Sequence, residues 1–160
     1  MKACFMGLGY IGLPTAIIAA KHGIKVTGVD INPSVVELTN QGKLHIVEPG
    51  LEAYLQEVVK TGNLKASLKP EACEAYFMVV PTPFKGNHEP DISYVEAATR
   101  SVLSLLKAGD LYVIESTSPI GTTEKMRDLI YGERPELKDK IYIAYCPERV
   151  LPGNVIYELV

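Results

Sequence analysis

Three glycines near the amino end constrain this sequence more than anything else in it. Gly7-Leu8-Gly9-Tyr10-Ile11-Gly12 follows an apolar run at residues 3–6 and opens a segment, residues 10–22, that is apolar on most faces. G-x-G-x-x-G between a strand and a helix divides three tasks. The first glycine permits a tight turn, the second lets a diphosphate approach the backbone, and the third lets the helix pack closely on the sheet. Free amides at the helix start then face phosphate oxygens. A second strand is expected over residues 25–30, which puts Asp30 at its carboxyl end, eighteen residues beyond Gly12. A carboxylate there accepts hydrogen bonds from the adenosine ribose and repels a 2′-phosphate, favouring NAD over NADP. The glycine motif alone leaves FAD, S-adenosylmethionine and a turn used only for packing open. Strand, helix, second strand and terminal aspartate together favour the dinucleotide.

The rest of the chain alternates short apolar runs with helical patterns. Gly23 suits the carboxyl-terminal cap of the first helix. Asn32 and Pro33 supply an N-cap and first residue for a helix reaching Asn40. Residues 51–60 read as a further helix and 64–67 as a short third strand. Residues 75–80 are a buried fourth strand, stopped by Pro81, Thr82 and Pro83. Ser93 and Glu96 have capping-box spacing for a helix that runs to about Lys107. Strands at 111–115 and 141–145 flank a helix at 123–131. Six strands with crossover helices predict an α/β fold, a doubly wound parallel sheet of Rossmann type in the order 3-2-1-4-5-6. Right-handed crossovers gather the loops at 7–12, 30–33, 81–84, 116–121 and 146–153 on one edge.

A chain of 160 residues is about one domain. The net charge of −3 gives no reason to expect nucleic acid or a membrane surface as a partner. Cys4, Cys73 and Cys146, like His22, His45 and His88, are too scattered to read as a metal site. Three widely separated cysteines suit a reducing compartment. Lys2 and the apolar stretch to Ala20 imitate a secretory signal, but Gly7, Gly9, Gly12 and Pro14 interrupt it. A cytoplasmic location is the expectation.

Several separate segments point further. Gly-Leu-Gly-Tyr-Ile-Gly-Leu-Pro-Thr (7–15), His-Ile-Val-Glu-Pro (45–49), Val-Pro-Thr-Pro-Phe (80–84) and Glu-Ser-Thr-Ser-Pro-Ile-Gly-Thr-Thr (115–123) resemble the UDP-glucose/GDP-mannose dehydrogenase family. Cys-Pro-Glu-Arg-Val-Leu-Pro-Gly-Asn (146–154), followed by Glu-Leu-Val (158–160), resembles its UDP-N-acetyl-D-mannosamine branch. Members oxidise a sugar C6 alcohol to a carboxylate with two NAD per turnover. The resemblance implies that Tyr10, Ile11 and Asp30 line the NAD site with Gly7, Gly9 and Gly12. It implies that Thr82 contacts the cofactor and that Thr117 lies by the nicotinamide, where its hydroxyl can order water. Arg149 and Val150 would meet the UDP-sugar, and Glu148 would position water or help hydrolyse an enzyme-bound intermediate. Plainer roles stand beside these. Thr82 can cap a turn, Thr117 can satisfy loop amides, and Glu148 with Arg149 can form a surface ion pair of little consequence.

Two departures from the family pattern bear on the substrate. Glucose-type members often carry a second glutamate where this chain has Pro152, which favours an N-acetylhexosamine. The family's nucleophilic cysteine and its supporting lysine match nothing here. Residues 1–160 are therefore expected to be an NAD-binding domain of a longer protein. A central region, through which the whole protein forms a homodimer, and a UDP-binding domain would lie beyond it. Such a chain binds NAD without turnover. A β-hydroxyacid dehydrogenase with a similar first domain, and a non-catalytic module responding to nucleotide, are the alternative readings.

Overall fold

The computed structural model describes residues 1–151 and 153–159. Its strands, in chain order, are Lys2–Met6 (β1), Lys25–Val29 (β2), Leu64–Ser67 (β3), Ala75–Met78 (β4), Phe84–Lys85 (β5), Glu89–Pro90 (β6), Leu111–Ile114 (β7) and Tyr142–Tyr145 (β8). Six of them form one sheet in the order β3-β2-β1-β4-β7-β8, and every pairing in it is parallel. Counting only this sheet's strands, the order is the expected 3-2-1-4-5-6. The helices are Gly12–Lys21 (α1), Pro33–Asn40 (α2), Leu51–Lys60 (α3), Ser93–Val102 (α4), Thr122–Glu133 (α5) and Val155–Glu158 (α6). Among the described residues no helix is long and apolar enough to cross a membrane.

A parallel sheet must be covered on both faces, and alternation along each strand supplies both. In β1, Ala3 and Phe5 join Leu13, Ala16, Ile17, Leu51 and Leu55 in one core. Cys4 and Met6 point the other way and pack with Tyr76, Met78, Val95, Val102, Tyr112 and Met126. Each large apolar side chain buried there contributes about 1.5–3 kcal/mol relative to exposure. Some polar atoms inside are paired, as where the Thr99 and Tyr112 hydroxyls lie 2.6 Å apart; the Thr39 hydroxyl and His45 Nδ1 are buried without a partner.

Local signals set most boundaries. Asn32 caps α2, its side-chain oxygen accepting the Ser34 N–H at 3.0 Å. Gly23 adopts φ 87° just past α1. The capping box at Ser93 does not form. The Ser93 N–H donates instead to Asp91 Oδ1 at 2.9 Å, and no side chain caps α4 at Ile92. A carboxylate two residues upstream is the stronger acceptor. Bonds from Ser93, together with the Lys85 ammonium 2.9 Å away, hold the Asp91 carboxyl down at about 2. Helix α4 also ends at Val102, short of Lys107, and the carbonyls of Leu103 and Leu106 in the turn beyond it accept from the guanidinium of Arg134. The β5–β6 hairpin was not expected, since Pro81 and Pro83 read only as a stop; His88 closes it at φ 64°.

Candidate functional site

The three glycines differ in what surrounds them. Gly7 has φ 105°, and a Cβ there would lie 2.3 Å from the Val79 carbonyl oxygen, so the turn is pressed against the end of β4. A Cβ on Gly12 would lie 2.0 Å from the Gly7 carbonyl oxygen and 3.3 Å from Val79 Cβ, so the start of α1 sits directly on the loop. Gly9 has nothing within 4 Å of the place its Cβ would take, and it is exposed. The approach over Gly9 is open to a ligand, while the glycines on either side hold the backbone in shape. The Leu13 N–H donates to the Gly9 carbonyl at 3.1 Å, the first rung of the α1 ladder. Amides before that rung have no place in the ladder and are the anion-binding groups of the helix start. Tyr10 is exposed and Ile11 half-buried at the rim of this opening.

Asp30 follows directly on β2 and meets the loop. Its Oδ2 accepts the Leu8 N–H at 3.0 Å and its Oδ1 the Asn32 N–H at 2.9 Å. The carboxylate is thus fixed beside the glycine turn, with Ile31 90% exposed next to it. Leu8 itself is fully buried under the loop, where a Cβ on Gly28 would come within 2.6 Å of its Cδ2. Gly28 therefore makes room for Leu8. An isolated glycine inside a strand pattern is a sequence signal of such a close approach.

The ends of β4 and β7 form the second half of the edge. The Thr82 hydroxyl donates to the Thr117 carbonyl at 2.7 Å, which ties the two loops together and leaves the Thr117 side chain exposed. The Ser116 hydroxyl bonds the carbonyls of Val80 and Met78 at 2.7 and 3.1 Å. These bonds take over from the ladder where β4 stops at Met78. Glu115 is buried, and its Oε1 lies 3.0 Å from the hydroxyl of Thr15 in α1. Burial, with the Glu148 carboxylate adding repulsion, pushes the Glu115 carboxyl up to about 7 against the opposing Thr15 contact. Glu115 and Thr15 each stand in a family-like segment, but their contact is not visible in the sequence, because it joins residues 100 positions apart.

Beyond β8 the chain returns along the same edge. The Cys146 N–H donates to the Ile114 carbonyl at 2.9 Å, and Glu148 N–H lies 3.4 Å from the Glu115 carbonyl. Glu148 Oε1 accepts the amides of Arg149 and Val150 at 2.5 and 2.6 Å. Among the described residues no ion pair joins Glu148 to Arg149; the carboxylate turns to the backbone, and the Arg149 side chain is exposed. Cys146 is exposed, whereas Cys4 and Cys73 are buried in or beside the sheet. Pro152 and Val160 lie outside the described residues. The structure thus brings the glycine loop, Asp30, Thr82, Thr117, Glu148, Arg149 and Val150 to one edge of the sheet, with direct contacts between Leu8 and Asp30 and between Thr82 and Thr117.

Comparison with known proteins finds relatives over the whole chain. The sequence model described as "UDP-glucose/GDP-mannose dehydrogenase family, NAD binding domain" matches residues 1–160. The UDP-N-acetyl-D-mannosamine dehydrogenase of Campylobacter jejuni is 53% identical over 168 residues, covering 99% of this chain and 41% of that protein. An NDP-N-acetyl-D-galactosaminuronic acid dehydrogenase of Ralstonia nicotianae is 49% identical over 163 residues, covering 97% of this chain and 38% of that protein. The native structure of the UDP-N-acetyl-mannosamine dehydrogenase of Staphylococcus aureus superimposes with a TM-score of 0.94 at 42% identity, covering 100% of this chain and 40% of that one. The chain spans about 40% of the length of such relatives.

Proposed function

Since the chain belongs to the UDP-glucose/GDP-mannose dehydrogenase family, as its NAD-binding domain, we propose that the whole protein oxidises the C6 alcohol of UDP-N-acetyl-D-mannosamine to a carboxylate. The observation that carries the cofactor half of this reading is the open approach over Gly9 beside a carboxylate locked to the loop by the Leu8 amide at 3.0 Å, and the sugar half rests on the similarity to the mannosamine enzymes. Those features fit NAD: space and free amides for a diphosphate, and an acceptor for ribose hydroxyls that repels an added phosphate.

In this reading Gly7, Gly9, Gly12, Tyr10 and Ile11 hold the diphosphate end, and Asp30 holds the adenosine ribose. NAD, when bound, supplies the hydride acceptor. Thr82 spends its hydroxyl on the Thr117 carbonyl, so its part is to fix the loop that carries Thr117. The exposed Thr117 hydroxyl is free to orient the reacting end of the cofactor or a water. Glu148 keeps Oε1 on two amides, which orients the carboxylate and leaves Oε2 for a water or a proton. Arg149, exposed and without an ion-pair partner among the described residues, offers a forked donor for the phosphate of a UDP-sugar, with Val150 beside it. The family resemblance puts the nucleophile in a segment that matches nothing in residues 1–160: Cys4 and Cys73 are buried, and Cys146, though exposed, belongs to the Cys-Pro-Glu-Arg segment and not to the nucleophile's motif. Dimerisation through a region outside this chain and a cytoplasmic location complete the proposal; residues 1–160 form its NAD-binding domain.

The similarity to an N-acetylgalactosaminuronate enzyme sets the comparison that tests the sugar. The full-length protein is assayed for NADH formation with UDP-N-acetylmannosamine, UDP-N-acetylgalactosamine, UDP-N-acetylglucosamine and UDP-glucose. The first should give the highest kcat/KM, with two NADH per sugar. A preference for UDP-glucose, or for a small hydroxyacid, refutes the assignment. Calorimetry on residues 1–160 should detect NAD binding, and its absence at millimolar NAD removes the cofactor reading.

A further inference from the structure

Glu48 is a buried carboxylate, 6% exposed, in the connection between α2 and α3. No ion pair reaches it among the described residues. What it holds is backbone from the far end of the chain. Oε2 accepts the Gly153 N–H at 2.8 Å and Oε1 the Val155 N–H at 2.9 Å. A buried carboxylate is costly unless donors replace its water, and two amides aimed at its two oxygens do so. Gly153 has φ 93°, a conformation that favours glycine and turns the chain into this grip. An apolar contact lies beside the polar one. Val155 is 1% exposed, and Ile156 Cδ1 lies 3.3 Å from where a Cβ on Gly50 would stand.

The other end of the same segment is fixed to β7 by the Cys146 amide. Strand β7 belongs to one half of the sheet, and the α2–α3 connection serves the other. Residues 149 and 150 are therefore strung between two anchors, one at each side of the cofactor edge. We propose that Glu48 is a positioning residue, the clasp that fixes the far anchor of residues 146–155 and so sets where Arg149 and Val150 meet the nucleotide of the substrate. The substrate half of this inference rests on the function proposed above.

Hydrogen–deuterium exchange and kinetics on the full-length protein and its Glu48→Ala and Glu48→Gln variants test it. In Glu48→Ala, amides of residues 148–151 and 153–159 should exchange about tenfold faster or more, the scale set by losing hydrogen bonds to a charged group. Peptides from β1, β4 and β7 should keep their wild-type rates. KM for the UDP-sugar should rise by about tenfold or more, while the Kd for NAD stays within about twofold. Glu48→Gln keeps one acceptor oxygen and should fall between. Unchanged exchange at 148–151 and 153–159 overturns the clasp. Equal acceleration throughout the domain also overturns it, because Glu48 would then support the fold as a whole. A loosened segment with unchanged KM overturns its part in presenting Arg149 and Val150. Absence of UDP-sugar turnover by the wild type overturns the underlying function, and the exchange comparison still decides the clasp.

Discussion

Replacing Glu115 by glutamine should flatten the dependence of this domain's stability on pH. The carboxyl is 5% exposed and sits at about 7, against an ordinary 4.5. The Thr15 hydroxyl owns one proton yet lies 2.9 Å from the Ile11 carbonyl and 3.0 Å from Glu115 Oε1. Protonation of Glu115 resolves the competition: its O–H donates to Thr15 Oγ1, and Thr15 donates to Ile11. The sign follows from the two states. Below pH 4.5 both folded and unfolded chains carry the proton, and nothing is lost. Between 4.5 and about 7 the unfolded chain releases it while the fold keeps it, so stability falls as pH rises. Above 7 the fold holds an ionised carboxylate and the loss is complete. At about 1.36 kcal/mol per pH unit the interval amounts to about 3 kcal/mol. Glutamine donates an N–H to Thr15 without ever ionising. The variant should exceed the wild type by about 1 kcal/mol or less at pH 5 and by about 3 kcal/mol at pH 8, or roughly 6–12 °C in Tm for a domain of this size. Urea unfolding of both proteins at pH 5, 6, 7 and 8 at constant ionic strength measures this, and every other titrating group cancels in the difference. Parallel curves for the two proteins across that range would refute the reasoning.

Asp30→Ala removes the acceptor beside the glycine turn and should weaken NAD binding by about tenfold or more while relaxing the rejection of NADP; calorimetry with both cofactors checks it, and unchanged affinities take Asp30 out of the site. Gly12→Ala drives a Cβ to 2.0 Å from the Gly7 carbonyl oxygen, and backbone cannot rotate away, so a loss of about 3 kcal/mol or more is expected together with NAD binding. Gly28→Ala meets only the end of the Leu8 side chain, at 2.6 Å, and should cost about 1–2 kcal/mol. Urea unfolding ranks the two glycine variants, and the reverse order contradicts the packing argument.

The elements were legible where their signals were local. Asn32 and Pro33 begin α2 as expected, because a cap acts over two residues. The sheet order followed from alternating strands and crossover helices, whose handedness leaves few arrangements. Asp30 was legible because the end of β2 and the start of α1 belong to one βαβ unit. Local signals failed where two of them competed, as when Asp91 took the Ser93 amide that Glu96 was expected to accept. They were silent where partners lie far apart in the chain. Thr15 with Glu115, and Glu48 with Gly153 and Val155, are separated by 100, 105 and 107 positions, and no window of sequence contains both sides.

Three carboxylates at this edge show what the fold adds to such a list of residues. Asp30 accepts two amides, one of them from the glycine loop. Glu48 accepts two amides from the segment that carries Arg149. In both the donors replace lost water, and the acid is a clamp on backbone. Glu115 is buried as well, but it meets one hydroxyl already engaged with Ile11, and the Glu148 carboxylate raises it further. Too few donors and a like charge favour the protonated acid. The same functional group therefore serves as an anchor in two places and as a proton holder in the third. The number of amides that the surrounding turns aim at each group decides which.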